Sequence, residues 1–131
     1  FVSLYAHHTP ATFFYDKKIN NFLSVNSSYS YQEISEITNN GYADMLELSI
    51  IDKEEYGTRL NARDLAKYET IAGLSDTPCV VPSQKFMKAK DIPLLYKTGV
   101  KAVMLGAVVF GKDASNLESA VKAFRKEIDQ L

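Results

Sequence analysis

The chain is short of net charge, cysteine and long apolar runs, and each shortage excludes something. Fifteen Lys and Arg stand against sixteen Asp and Glu, leaving a formal charge of −1 at pH 7. No global field therefore gathers nucleic acid or an anionic membrane. Cys79 is the sole cysteine, so an internal disulfide is impossible and a reducing, cytoplasmic location is the expectation. Apolar runs break within about eight residues, far short of the ~20 that span a bilayer. Metal-site spacing is missing as well. A set made of His7, Glu47 and Asp52 can be imagined, but no i,i+4 or Cys/His pattern supports it, and neither metal nor cofactor is expected. The sequence shows no low-complexity linker, and its 131 residues read as a single domain or barrel fragment with enough length for a core. It opens on "FVSLYA", already strand-like, with no methionine, basic n-region or signal-type core. That opening reads as part of something longer.

Alternation is what the sequence does have. Short apolar segments rich in β-branched residues occur at 1–6, 43–51, 78–81 and 101–107, with a weaker one at 21–25, and suit a parallel sheet covered on both faces. Helical patterns fall between them. Ser30 with Glu33 makes a capping box, with Ile34 and Ile37 as the buried stripe and Gly41 beyond the end. Asn61 is an N-cap for a helix carrying Leu65, Tyr68 and Ala72, with Gly73 closing it. Pro93 and Gly99 bracket another helix. In the last helix Ser115 and Glu118 form a box, and Leu117, Val121, Phe124, Ile128 and Leu131 recur at helical spacing. Strands alternating with helices mean βα units, an α/β fold.

The segment "CVVPSQKFMKAKDIPLLYKTGVKAVMLGAVVFGKD" (79–113) resembles the last two strand–helix units of phosphate-binding (β/α)8 barrels. Indole-glycerol-phosphate synthase, its relatives in tryptophan and thiamine biosynthesis, and the keto-deoxy-phosphogluconate aldolases share this layout. "LNARDL" (60–65) is similar to an Asn-Arg-Asp-Leu stretch of the synthase. The resemblance covers roughly residues 22–131 and implies the C-terminal part of such a barrel, about its last four to five βα units. The other units would then lie on a complementing N-terminal segment or come from a second copy in a homo-oligomer. It further implies a substrate phosphate held by Ser83, Gln84 and Lys85 after one strand and by Gly106, Ala107 and Val108 after the next. Ser83 and Lys85 replace the family's strand-seven acid and glycine, so the synthase's own activity does not carry over. The alternative architecture is a flavodoxin-like open sheet, although "AHHTPATFF" has no glycine for its usual phosphate loop.

The residues make the same case physically. Gly106 removes a Cβ where a strand stops, and a short helical turn through Val109 can aim free amides at an anion, with Lys85 and Lys88 adding charge. The plain reading is that Gly106 relieves packing and Gly111 serves a turn. In "ADMLELSII" alternation puts Met45, Glu47 and Ser49 on one face. A glutamate inside a buried apolar strand is costly unless paired or functional, which makes Glu47 a candidate acid or base, or else a structural carboxylate. Ser3, Tyr5 and His7 form a similar stripe, with His7 a second candidate and His8 pointing the opposite way. Mid-strand positions offer no lysine for a Schiff base. Asp52 to Glu55 read as a solvated loop or, less economically, a gate. Arg59 and Arg63 read as helix-face ion pairs or an anion clamp, Cys79 as a small core residue, and Phe13, Phe14 and Tyr15 as core or subunit interface. The expectation is a lyase or isomerase acting on a small phosphorylated metabolite by general acid–base catalysis. A non-catalytic metabolite-binding or interaction module derived from a barrel enzyme is the rival.

Overall fold

The computed structural model describes residues 1–16 and 18–131. Five strands, β1 (Val2–Tyr5), β2 (Asn21–Asn26), β3 (Met45–Ser49), β4 (Cys79–Pro82) and β5 (Ala102–Met104), alternate with α1 (Tyr31–Asn39), α2 (Ala62–Leu74), α3 (Ile92–Lys97), α4 (Ala107–Phe110) and α5 (Ser115–Ile128). The β1–β2 connection carries two short 3₁₀ segments in place of an α-helix. All neighbouring strands pair in parallel, in the order β1-β2-β3-β4-β5. A sequential order is an arc of a (β/α)8 barrel and rules out the flavodoxin-like alternative, whose order is 2-1-3-4-5.

Local signals explain most boundaries. The Ser30–Glu33 capping box forms in both directions and starts α1, while Gly41 takes φ 73° just past its end, as an αL terminator should. Asn61 accepts from the amides of Arg63 and Asp64, and Asp64 returns a bond to the Asn61 amide. Gly73 does not close α2; it lies inside the helix, which runs on to Leu74. The Ser115 box is also absent, because Ser115 is already helical and its amide donates to Asp113 Oδ1 at 2.9 Å. An Asp two residues upstream has taken the capping role. The segment expected to be the weakest strand, β2, has five consecutive buried residues from Asn21 to Val25. Having neighbours on both sides, it is covered where β1 and β5 are not.

The main core lies between the sheet and its helices. Val25, Leu46, Leu48 and Val81 pack there with Ile34, Tyr68, Ile71 and Leu95. Register puts the alternate residues on the other face, where one row crosses all five strands: Tyr5, Ser24, Glu47, Val80 and Ala102. Among the described residues no helix packs on that face. Of the apolar stripe on α5, Phe124 is buried and Ile128 half-buried, whereas Leu117, Val121 and Leu131 are exposed.

Lys85 is the least expected core residue. Its side chain is 1% exposed and its ammonium lies 2.9 Å from Thr58 Oγ1, 3.2 Å from Glu55 and 3.6 Å from Asp64, which is itself 2% exposed. Burial, reinforced by the Asp64 carboxylate nearby, pushes the Tyr68 phenol far up. An ammonium in such a place must keep its counter-charge. Asp64→Asn retains the cap shape and removes the buried one of the two carboxylates beside the ammonium, leaving half-buried Glu55 as its counter-charge, and is expected to cost about 1–3 kcal/mol in urea unfolding. The Asp64→Asn/Lys85→Met double variant should recover most of that. A Lys85→Met effect of the same size in the parent and in Asp64→Asn would show the pair to be uncoupled.

Candidate functional site

The loops after β4 and β5 meet at one point. Gly106 Nα donates to Ser83 Oγ at 2.6 Å, and Ser83 Nα donates to the Met104 carbonyl at 2.9 Å. Gly106 is extended, with φ −123°, so conformation does not demand glycine there. Close approach favours it: a Cβ would stand 3.3 Å from Ser83 Oγ, so the hydroxyl would have to give by a few tenths of an ångström. α4 follows at once, and Val109 Nα closes back on the Gly106 carbonyl at 2.9 Å. As first-turn groups, the amides of Ala107 and Val108 have no protein acceptor among the described residues. Strand β5 ends at Met104, three residues short of the expected limit, because the chain is already turning towards this helix.

Of the other residues expected here, Gln84 is buried and bridges loops: its Oε1 accepts from Ile51 Nα at 3.2 Å and its Nε2 donates to the Tyr56 hydroxyl at 2.5 Å. Lys85 does not add its charge to the site, since its ammonium is held by Thr58, Glu55 and Asp64. Lys88 is exposed. Asp52 to Glu54 are exposed, as in a solvated loop, and Glu55 is tied to the Lys85 ammonium, which argues against a free gate. Gly57, Leu60 and Phe86 amides donate across to Gln84, Phe86 and Thr58 carbonyls at 2.8–3.0 Å, lacing the loop after β3 to the loop after β4. Arg59 precedes α2 and forms a two-pronged pair with Asp91, both bonds 2.6 Å, rather than a helix-face bridge.

Glu47 lies half-buried on the helix-free face, where Ser49 Oγ donates to it at 2.6 Å. No cation pairs with it among the described residues. His7 is elsewhere. β1 ends at Tyr5, so the stripe does not reach His7, which sits in a 3₁₀ turn with Nδ1 2.9 Å from the Tyr29 hydroxyl. The same turn brings the His7 and His8 rings within 4.2 Å, centroid to centroid, instead of pointing them apart as a strand would. Burial, with the Glu33 charge, raises the Tyr29 phenol, although a backbone hydrogen bond at His7 opposes the shift. A cavity of about 660 Å³ beside His7 is lined by Leu23, Ile37, Phe14 and Tyr42. Leu23 is in register with the core-facing Leu46, so His7 and Glu47 serve different sides of the sheet. Phe13 and Phe14 are half-buried and Tyr15 is 85% exposed. Cys79 is buried and its thiol is pushed up by burial, which suits a core residue and not a nucleophile. No cluster of three metal-ligating side chains, and no helix long and apolar enough to cross a membrane, occurs among the described residues.

The class this fold defines is a partial, open (β/α)-barrel sheet, and solved structures agree. Thiamine phosphate pyrophosphorylase from Pyrococcus furiosus superposes with a TM-score of 0.69 at 22% identity, over 98% of this chain and 58% of that one. The YdjI aldolase from Escherichia coli K12 superposes at 0.53 and 14% identity, over 91% of this chain and 49% of that one. The chain thus spans about half the length of these structures. No protein-family model and no curated protein sequence matches it.

The Arg59–Asp91 pair gives a pH test of how the loops are held. Burial raises the Asp91 carboxyl, but Arg59 and the Lys88 amide outweigh burial and hold it below the usual carboxylate range. A depressed native value contributes stability above about pH 4 that fades as pH falls through the native value. Asp91→Asn should therefore lower the urea midpoint at pH 7 and flatten the loss of stability on acidification. Identical acid limbs for parent and variant would show that the pair contributes nothing.

Proposed function

We propose that this chain binds a small phosphorylated metabolite at the C-terminal ends of β4 and β5. The observation that carries the reading is the meeting of Ser83 with Gly106 beside the acceptor-free amides of Ala107 and Val108. Amide donors on a short turn suit a phosphate oxygen, and barrel sites collect at this end of the strands. A pyrophosphorylase of thiamine phosphate and an aldolase as structural neighbours fit that chemistry. Glu47, on the face that a barrel would enclose, is the acid–base group of the reading, and the reaction class is lyase or isomerase. A binding module without catalysis is the second reading. It is favoured by the separation of His7 from Glu47, which leaves the carboxylate without a partner acid or base.

Amide NMR titration with inorganic phosphate, then with simple sugar phosphates, tests the site. Saturable shifts are expected at Ser83 and from Gly106 to Val108. Gly106→Ala should weaken binding about tenfold, equivalent to ~1.4 kcal/mol. Glu47→Gln should leave phosphate binding intact while abolishing any turnover. An absence of shifts at tens of millimolar phosphate would refute the site, reduce Gly106 to a packing glycine and leave the interaction module.

A further inference from the structure

Among the described residues, the β1–β2 connection is the one crossover without an α-helix; its 3₁₀ segments are Ala6–His8 and Ala11–Tyr15. A parallel crossover normally lays a helix over the sheet. In its place, on the helix side of β2, lies the cavity of about 660 Å³ beside His7. Two of its walls belong to the ordered layers. Leu23 of β2 is 2% exposed, and Ile37 stands on α1, whose start is held by a capping box. Phe14, on the second 3₁₀ segment, makes a third wall.

Size and lining suit a small molecule. A volume of about 660 Å³ falls within the ~300–1,000 Å³ of such sites, which are mostly apolar with a few placed polar groups. None of the described lining residues is a carboxylate, a lysine or an arginine, so the body of the occupant is uncharged. Two ring pairs contribute to the lining. Phe14 and Tyr42 have centroids 5.2 Å apart at 55°, and His7 and Tyr29 lie at 5.9 Å and 41°. Rings tilted in this way offer both faces and edges to a further flat ring.

One polar group sets the orientation. Tyr29 O–H has His7 Nδ1, 2.9 Å away, as its sole acceptor among the described residues. An imidazole that accepts at Nδ1 carries its proton on Nε2. That second N–H has no acceptor among the described residues, and a carboxylate oxygen is the acceptor that bonds it most strongly.

We propose that this cavity binds a planar molecule of about two fused aromatic rings bearing a carboxylate. Its rings lie against Phe14, Tyr42, Leu23 and Ile37, and a carboxylate oxygen accepts from His7 Nε2. Neither Glu47 nor the turn after Gly106 lines the cavity, so the site stands whether or not phosphate binds at the strand ends.

The probe is 2-naphthoate, titrated into the chain and followed by methyl and amide NMR. Saturable shifts are expected at the Leu23 and Ile37 methyls and the Gly41 amide, with a Kd of about 0.1–1 mM for a ligand of this size. Ser83 and Gly106 should not move. His7→Phe keeps a ring but removes the Nε2–H donor, and should weaken naphthoate about tenfold. The saturated analogue, decahydro-2-naphthoate, keeps the skeleton without the flat rings and should also bind about tenfold more weakly. Ile37→Trp fills the cavity and should abolish binding while the far-ultraviolet circular dichroism is kept. Should that variant fail to fold, Ala11→Trp blocks the cavity from an exposed position. The proposal is overturned by an absence of saturable shifts at Leu23 and Ile37, or by binding that survives a folded blocking variant. Parent-like affinity in His7→Phe, or equal binding of the saturated analogue, overturns it too.

Discussion

An ammonium with 1% of its side chain exposed cannot be left without a counter-charge, and Lys85 makes this the condition on which the upper rim of the sheet rests. Its partners come from the loop after β3 and from the first turn of α2, while Lys85 itself follows β4. Satisfying one charge therefore fixes three segments together. The backbone bonds from Gly57, Leu60 and Phe86 run along the same seam, and Arg59 with Asp91 ties its far end to α3. Ser83, two residues before Lys85, is thereby held against Gly106. The lysine spends its charge on Glu55 and Asp64 and not on the candidate anion site, the reverse of the role its neighbourhood suggests.

What could be read from the sequence was local. The caps at Ser30 and Asn61 depend on residues three apart, and both formed. The helical turn after Gly106 follows from a glycine ending an apolar strand, and it too is present. The errors lie where a local signal had competitors. Asp113 and Ser115 were both acceptable caps, and the helix began one residue too early for the serine to serve. His7 lay in register with Ser3 and Tyr5, but the strand ended first. For Lys85 the sequence held no usable signal. Asp64 lies 21 positions back in the chain, Glu55 and Thr58 are further away still, and nothing in "PSQKF" distinguishes a buried lysine from a solvated one. A lysine beside Ser83 and Gln84 and followed by Phe and Met reads by its charge as a solvated or ligand-facing group, and burial decides otherwise.

The helix-free face carries a conflict of its own. Its central row runs Tyr5, Ser24, Glu47, Val80 and Ala102, so Glu47 is flanked by a hydroxyl and an aliphatic group, and Ser49 is its single side-chain donor among the described residues. With water on this face the carboxylate is solvated and the arrangement costs little. Covered, it becomes a carboxylate in an apolar enclosure with one hydrogen bond, and burial on those terms is strongly unfavourable. The exposed methionines on either side pull the other way, since covering them is favourable. Burial of this face would thus favour apolar contact at Met45 and Met104 and require a donor or a cation at Glu47. Such a donor would supply the partner that His7, on the other side of the sheet, does not.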